Sequence, residues 1–326
     1  MAEPVLTIKN LKTYFIDSES EVRAVDGIDI DLFPGQTLCV VGESGCGKSV
    51  TALSVMGLLP RPKGKIVDGQ IFFEGYDISK LGEEELAEIR GNKISMIFQE
   101  PMTSLNPVLT IGDQISEPLI RHQRMPVKDA FARSIEMLNE VGIPRPEGII
   151  REYPHQLSGG MRQRVMIAMA MICSPKILIA DEPTTALDVT IQMQILELMR
   201  QMREKFGTAI LFITHDLGVV SELADHVVVM YAGQVVENAP ADTLFENPLH
   251  PYTIALLASI PFMDVDKDRL YSIPGLVPDA SKFPNYCRFA ERCERAEEQC
   301  FNGMPILEEI EAGHRVRCFL ARGKSV

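Results

Sequence analysis

One stretch constrains this chain more than any other: Gly42-Glu43-Ser44-Gly45-Cys46-Gly47-Lys48-Ser49, which keeps the Gly-x-x-x-x-Gly-Lys-Ser spacing in full. A short apolar run, Thr37 to Val41, leads into it, and an apolar stretch from Ser49 towards Leu59 reads as a helix leaving it. Strand, Gly-rich turn and helix in that order make a cradle for phosphate. Small residues let backbone N–H groups curl around the oxygens, and the helix aims its positive N-terminus at them. Residues 42–50, Gly42 to Val50, are the expected lining. Lys48 would reach the β and γ phosphates, and the Ser49 hydroxyl would bind Mg²⁺. A chance Gly-rich turn is the bland alternative, and the flanking strand and helix weigh against it. Cys46 reads as a permissive loop residue whose alkylation should block nucleotide.

Such a site needs an acidic strand end, and Ile177-Leu178-Ile179-Ala180-Asp181-Glu182 supplies one. Four apolar residues bury the strand, and two carboxylates emerge at its C-terminal edge, where open α/β sheets bind ligands. Asp181 would orient Mg²⁺ or its water, and Glu182 would face the attacking water as general base. Taken alone the run is equally a capped strand. Around it, Val5 to Gln36 alternates loosely and reads as short antiparallel strands, Pro60 to Gly69 as a loop, and 109–172 as mostly helical, with Asp129–Val141 and Met161–Cys173 its clearest runs. Gln192–Phe206 reads as a helix, and Ala209–Thr214 and His226–Tyr231 as strands. Strands alternating with helices imply a parallel α/β core.

Composition narrows the class. The 326 residues are 46% apolar and carry 32 Lys plus Arg against 45 Asp plus Glu, a formal charge of −13, which disfavours a nucleic-acid-binding surface. No apolar run approaches the ~20 residues of a membrane-spanning helix, and the opening MAEPVLTIKNLK lacks a secretory pattern. A soluble, cytoplasmic chain with reduced thiols is expected, seven cysteines being an odd total.

Between the two phosphate motifs lies Leu157-Ser158-Gly159-Gly160-Met161-Arg162-Gln163-Arg164, by itself a polar Gly turn capping a helix at Ser158. In this order and context, residues 5–255 resemble an ATP-binding-cassette ATPase. The resemblance implies a P-loop α/β core with an antiparallel β subdomain and a helical subdomain over about residues 100–172. It makes Gln99, in Ile97-Phe98-Gln99-Glu100, the Q-loop residue touching Mg²⁺ and the attacking water. It also makes Asp188, in Ala186-Leu187-Asp188, the D-loop residue, and His215 the switch histidine at the γ-phosphate, the alternative being a hydrogen-bonded structural histidine. Phe15 takes the place of the adenine-stacking aromatic, with Tyr14 as its alternative. Two cassettes of this family pack head to tail, so Ser158, Gly159, Gly160 and Gln163 would contact ATP held by the other chain.

Narrower similarity, in Glu100-Pro101-Met102-Thr103-Ser104-Leu105-Asn106-Pro107 and Asn247-Pro248-Leu249-His250-Pro251-Tyr252-Thr253, is to the dipeptide/oligopeptide importer subgroup, which also serves nickel and other small solutes. It implies two permease subunits, a second cassette ATPase (a related chain, or a second copy), an extracytoplasmic solute-binding protein acting indirectly, and a peripheral place on the cytoplasmic face of the membrane. The plainer alternative for both strings is a Pro-rich turn with a local structural role.

After Ala258 the pattern weakens and Pro recurs, so the nucleotide-binding domain is expected over 1–259 and a small C-terminal module over 260–326. In it, Cys287, Cys293, Cys300 and Cys318 put four thiols within 32 residues, a donor set for Zn²⁺ or an iron–sulfur cluster without the short CxxC pairs of structural zinc. The resemblance favours [4Fe–4S], with zinc second and a structural staple as the plainer role. Two other function classes fit the sequence less well. A soluble cassette ATPase on DNA or ribosomes would more often carry a coiled-coil insert or two cassettes. A module that only holds ATP would not keep Glu182 and His215.

Overall fold

The computed structural model describes residues 3–99, 104–185, 187–259 and 272–321. Glu100–Thr103 of the Pro-rich string, Ala186 of the expected D-loop, and Pro261 at the expected module boundary lie outside the described residues. In chain order the strands are β1 Leu6–Ile16, β2 Glu21–Leu32, β3 Thr37–Val41, β4 Gly64–Phe73, β5 Tyr76–Asp77, β6 Ile94–Ile97, β7 Ile177–Asp181, β8 Ala209–Thr214, β9 His226–Tyr231, β10 Gln234–Pro240, β11 Glu308–Glu311 and β12 His314–Val316. The helices are α1 Lys48–Met56, α2 Glu83–Ile89, α3 Ile111–Gln123, α4 Val127–Glu140, α5 Pro146–Ile149, α6 Gly159–Met171, α7 Val189–Phe206, α8 Leu217–Leu223, α9 Ala241–Glu246, α10 Pro251–Ala258 and α11 Glu298–Asn302. The chain forms two compact units: residues 1–5, 33–36 and 80–212, and residues 6–32, 37–79 and 213–326.

In the second unit, β2-β1-β4-β5 make an antiparallel sheet with Leu6 opposite both Leu32 and Phe73. Alternation along β1 buries Leu6, Ile8, Leu11 and Thr13 on one face. β3 pairs in parallel with β9, Val41 beside Val229, and every residue of β3 is buried, as a parallel strand covered on both faces requires. β9 continues antiparallel to β10, β10 to β12, and β12 to β11. Among the described C-terminal residues, β11 and β12 therefore share a sheet with the strand that feeds the phosphate loop.

The expected loop over Pro60–Gly69 is corrected: β4 begins at Gly64. The reason lies at Gly69. At φ +91° it sits where β1 and β4 slip register between the Lys9–Gln70 and Lys12–Asp68 pairs, and a Cβ there would lie 2.4 Å from the Asn10 carbonyl oxygen. A glycine that permits a bulge and a close backbone approach has the composition of a turn without being one.

In the first unit β6 pairs in parallel with β7, Ile97 beside Ala180. The helical stretch resolves into α3, α4, α5 and α6. Thr110 caps α3 reciprocally with Asp113, and Arg164 of α6 donates to the Val141 carbonyl at 2.6 Å, closing the end of α4.

Candidate active site

The second unit carries the phosphate loop. Buried β3 delivers the chain to Gly42, whose φ of +149° only glycine adopts readily; a Cβ would stand 2.2 Å from the Met230 carbonyl oxygen and 2.8 Å from Cys46 Sγ. The loop then turns into α1 through Gly47, with no side chain capping the helix and no acidic residue in its first turn, so nothing anionic competes there for a phosphate. Lys48 is buried, and its Nζ donates to the carbonyls of Gly42 at 2.7 Å and Glu43 at 3.1 Å. The ammonium thus lies across the mouth of the loop. Ser44 and Gly45 are exposed, Ser49 and Val50 half-buried. Cys46 is 1% exposed and burial raises its thiol pKa, so alkylation needs the loop to open.

Of the two aromatic candidates in β1, Tyr14 is committed. Its hydroxyl donates to Asp26 Oδ1 at 2.6 Å, and burial together with that carboxylate pushes its pKa up to about 12. Phe15 is half-buried beside Gly64. His215 follows β8, exposed, and the next residue, Asp216, caps α8 by accepting from the Gly218 N–H at 2.9 Å.

The first unit carries the acidic strand. β7 is buried along its whole length and ends at Asp181. Glu182 has a φ of +47°, an uncommon left-handed conformation for a residue with a side chain, and such strain concentrates at functional sites. Gln99 Nε2 donates to Glu182 Oε2 at 3.0 Å, and Thr185 Oγ1 donates to the same oxygen at 3.0 Å. Gln99 and Glu182 are 83 residues apart in sequence and meet directly. Thr185 was not anticipated, and nothing in its local sequence marks it.

Ser158 caps α6, its hydroxyl accepting from the Met161 N–H at 3.4 Å, and Gly159 is exposed beside it. A Cβ on Gly160 would meet Ile191 Cγ2 at 3.1 Å. Gln163, by contrast, is wholly buried, and among the described residues neither of its amide atoms finds a hydrogen-bond partner. Asp188 caps α7 by accepting from the Ile191 N–H at 2.9 Å.

The four C-terminal cysteines gather in the second unit. The Cys287 N–H donates to the Cys300 carbonyl at 3.2 Å, and burial, with the negative charge of the other three sulfurs adding, pushes the Cys287 thiol up to about 11. Burial raises Cys293 and Cys318 as well. Yet among the described residues no three or more His, Cys, Asp or Glu side chains form a group able to hold a metal ion, so the geometry does not support the expected cluster or zinc.

A phosphate loop after a buried parallel strand, and a carboxylate pair ending another, define a P-loop nucleoside-triphosphate hydrolase. Residues 25–185 match the ABC transporter family, and residues 236–300 match the C-terminal region of oligopeptide/dipeptide transporters. The oligopeptide transport ATP-binding protein AppD of Bacillus subtilis is 58% identical over 97% of this chain and 96% of its own length. The dipeptide transport ATP-binding protein DppD of the same species is 50% identical over 98% and 95%. The chain belongs to the ABC transporter ATPases, in the branch carrying the oligopeptide/dipeptide transporter C-terminal region. Among solved structures, the dimeric ATP-binding cassette MJ0796, bound to ADP and phosphate after hydrolysis, aligns with a TM-score of 0.65 and 28% identity over 72% of this chain and 98% of that one.

Proposed function

We propose that this chain is the ATP-hydrolysing subunit of an importer that takes up di- or oligopeptides through a membrane permease. One observation carries the solute class: a cassette with its hydrolytic residues present is joined to residues 236–300 of the oligopeptide/dipeptide type, in a chain whose relatives are peptide-transport ATP-binding proteins. Nickel or another small solute is the second reading of the same branch.

In the reaction, the amides of residues 42–50 and the Lys48 ammonium hold the triphosphate, and Phe15 stacks on adenine, Tyr14 being engaged by Asp26. Ser49, Gln99 and Asp181 hold Mg²⁺ or its waters. Glu182 takes the proton of the attacking water, and the amide of Gln99 at its carboxylate orients that base. His215 contacts the γ-phosphate, and Ser158, Gly159 and Gly160 cap the nucleotide of a partner cassette across a seam that includes Asp188. Gln163, of the same string, is assigned to that partner nucleotide as well, its side chain being buried in the single chain.

No described helix is long and apolar enough to cross a membrane, in keeping with a peripheral subunit on the cytoplasmic face, driven against two permease chains and paired with a second ATPase. The nucleotide-binding domain is taken as 1–259 and the C-terminal module as 260–326. For Cys287, Cys293, Cys300 and Cys318, donor type and shared neighbourhood are what favour a [4Fe–4S] cluster, which would act as a staple; zinc is second.

The test is anaerobic purification of the tagged chain from native membranes in mild detergent. Two multi-span permeases and a second cassette protein should accompany it, with iron and sulfide in the preparation. Recovery with DNA or ribosomal proteins alone would overturn the import reading. A colourless, metal-free preparation would overturn the cluster and leave the importer standing.

A further inference from the structure

Glu43 poses an electrostatic problem that the phosphate loop alone does not solve. It is the second residue of a loop built to hold a multiply charged anion, and a carboxylate there repels the ligand unless a cation faces it. That cation comes from residue 292, far along the chain. Arg292 Nη1 lies 2.8 Å from Glu43 Oε2 and Nη2 lies 3.0 Å from Oε1, a two-bonded fork that fixes direction as well as charge.

Arg292 is itself held rigidly. Its side chain is 4% exposed, against 29% for Glu43. Its Nε donates to the Pro274 carbonyl at 2.8 Å, and its guanidinium lies 5.7 Å from the Tyr231 ring centre and 5.9 Å from that of Phe289. The backbone of Glu43 is gripped as well, since its N–H donates to the Tyr252 hydroxyl at 2.9 Å. Tyr252 is wholly buried against Tyr231 and Phe289, with ring centres 4.6 and 5.4 Å away. One aromatic cluster therefore supports both holds on the loop, and both arrive from beyond residue 250.

We propose that Arg292 is a positioning residue of the ATP site: it neutralises and aims the Glu43 carboxylate, so that the C-terminal region sets the affinity of the phosphate loop for ATP. This rests on the ATPase reading above. Arg292 touches no reacting atom, so its effect falls on ATP binding and not on the chemical step.

The test is steady-state ATP hydrolysis by the full chain with its co-purifying partners. Arg292→Met should raise KM for ATP about tenfold with kcat within about twofold, because it leaves a carboxylate uncompensated beside the phosphates. Arg292→Lys, which keeps the charge and loses the fork, should raise it about threefold. Glu43→Gln should do the opposite and lower KM, since it frees the positive charge. The double variant Arg292→Met with Glu43→Gln should return KM to within about threefold of wild type. A purely structural arginine predicts none of that: removing the carboxylate would not rescue its loss. An unchanged KM in Arg292→Met, or in Arg292→Lys should the former not fold, overturns the proposal, as does a double variant no better than Arg292→Met. Absence of Glu182-dependent hydrolysis in the wild-type protein would instead sink the ATPase reading itself.

Discussion

At the scale of single residues, the phosphate loop is an arrangement that spacing alone reveals and sterics enforce. Gly42 has no room for a side chain, because the backbone of β9 passes at Met230. Gly42→Ala should therefore abolish measurable ATP binding and lower stability by about 1–3 kcal/mol, readable by equilibrium dialysis with labelled ATP and by thermal melting. Wild-type affinity in that variant would mean that the loop tolerates displacement. Other residues were less legible. Gln163 stands in a string whose sequence suggests a contact with the partner's nucleotide, and that it is buried in the single chain, on the inward side of α6, is not announced by its neighbours. Thr185 reaches Glu182 only through the turn after β7, a geometry that no residue pattern announces.

At the scale of elements, the string Asn247–Thr253 acquires a physical role. His250 caps α10, its Nδ1 accepting from the Tyr252 N–H at 3.0 Å. Its own N–H and that of Leu249 donate to the Glu237 carboxylate on β10, at 3.0 and 2.7 Å. His314 Nε2 on β12 lies 2.8 Å from the same carboxylate, so one buried Glu ties together a helix start and two strands. Burial, with the positive Arg317 adding, holds the His250 pKa down to about 4, although the nearby Glu237 opposes it. The unfolded chain takes up that proton near pH 6.5, whereas the folded chain resists it until about pH 4. The resulting stability is complete above the unfolded pKa and is lost as pH falls through this window, by ~3 kcal/mol over its whole width. Burial also raises the pKa of Glu237, but its hydrogen bonds from His314 and from the Leu249 and His250 amides outweigh that and hold it below the ordinary value, so its loss at still lower pH runs the same way. His250→Asn keeps a cap acceptor without the titration. Its melting temperature should fall less between pH 7 and pH 4.5 than that of the wild type, and an identical fall would exclude His250 as the source.

At the scale of the whole molecule, hydrolysis and assembly are predicted to separate. Glu182→Gln should cut hydrolysis by about 10²–10⁴-fold while leaving ATP bound, and ATP should then hold two cassettes together. Size-exclusion chromatography with light scattering, run with the partner ATPase present, reads this directly; a variant that stays monomeric with ATP would sink the paired-cassette reading. The same scale shows the limits of reading along a chain. The phosphate loop, the acidic end of β7 and the parallel α/β core were legible because each is a local pattern: phosphate needs consecutive amides at fixed spacing, and a strand covered on both faces must be apolar throughout. The weak, Pro-rich pattern after residue 258 gave no hint that β12 would pair with β10, that Arg288 would bond Asp26 and the Ala232 carbonyl, or that Arg292 would hold Glu43 from 249 residues away. Those are pairings between distant segments, each decided by which surfaces the packed strands bring into contact, and a pair of opposite charges has no meaning in sequence until folding sets the distance between them.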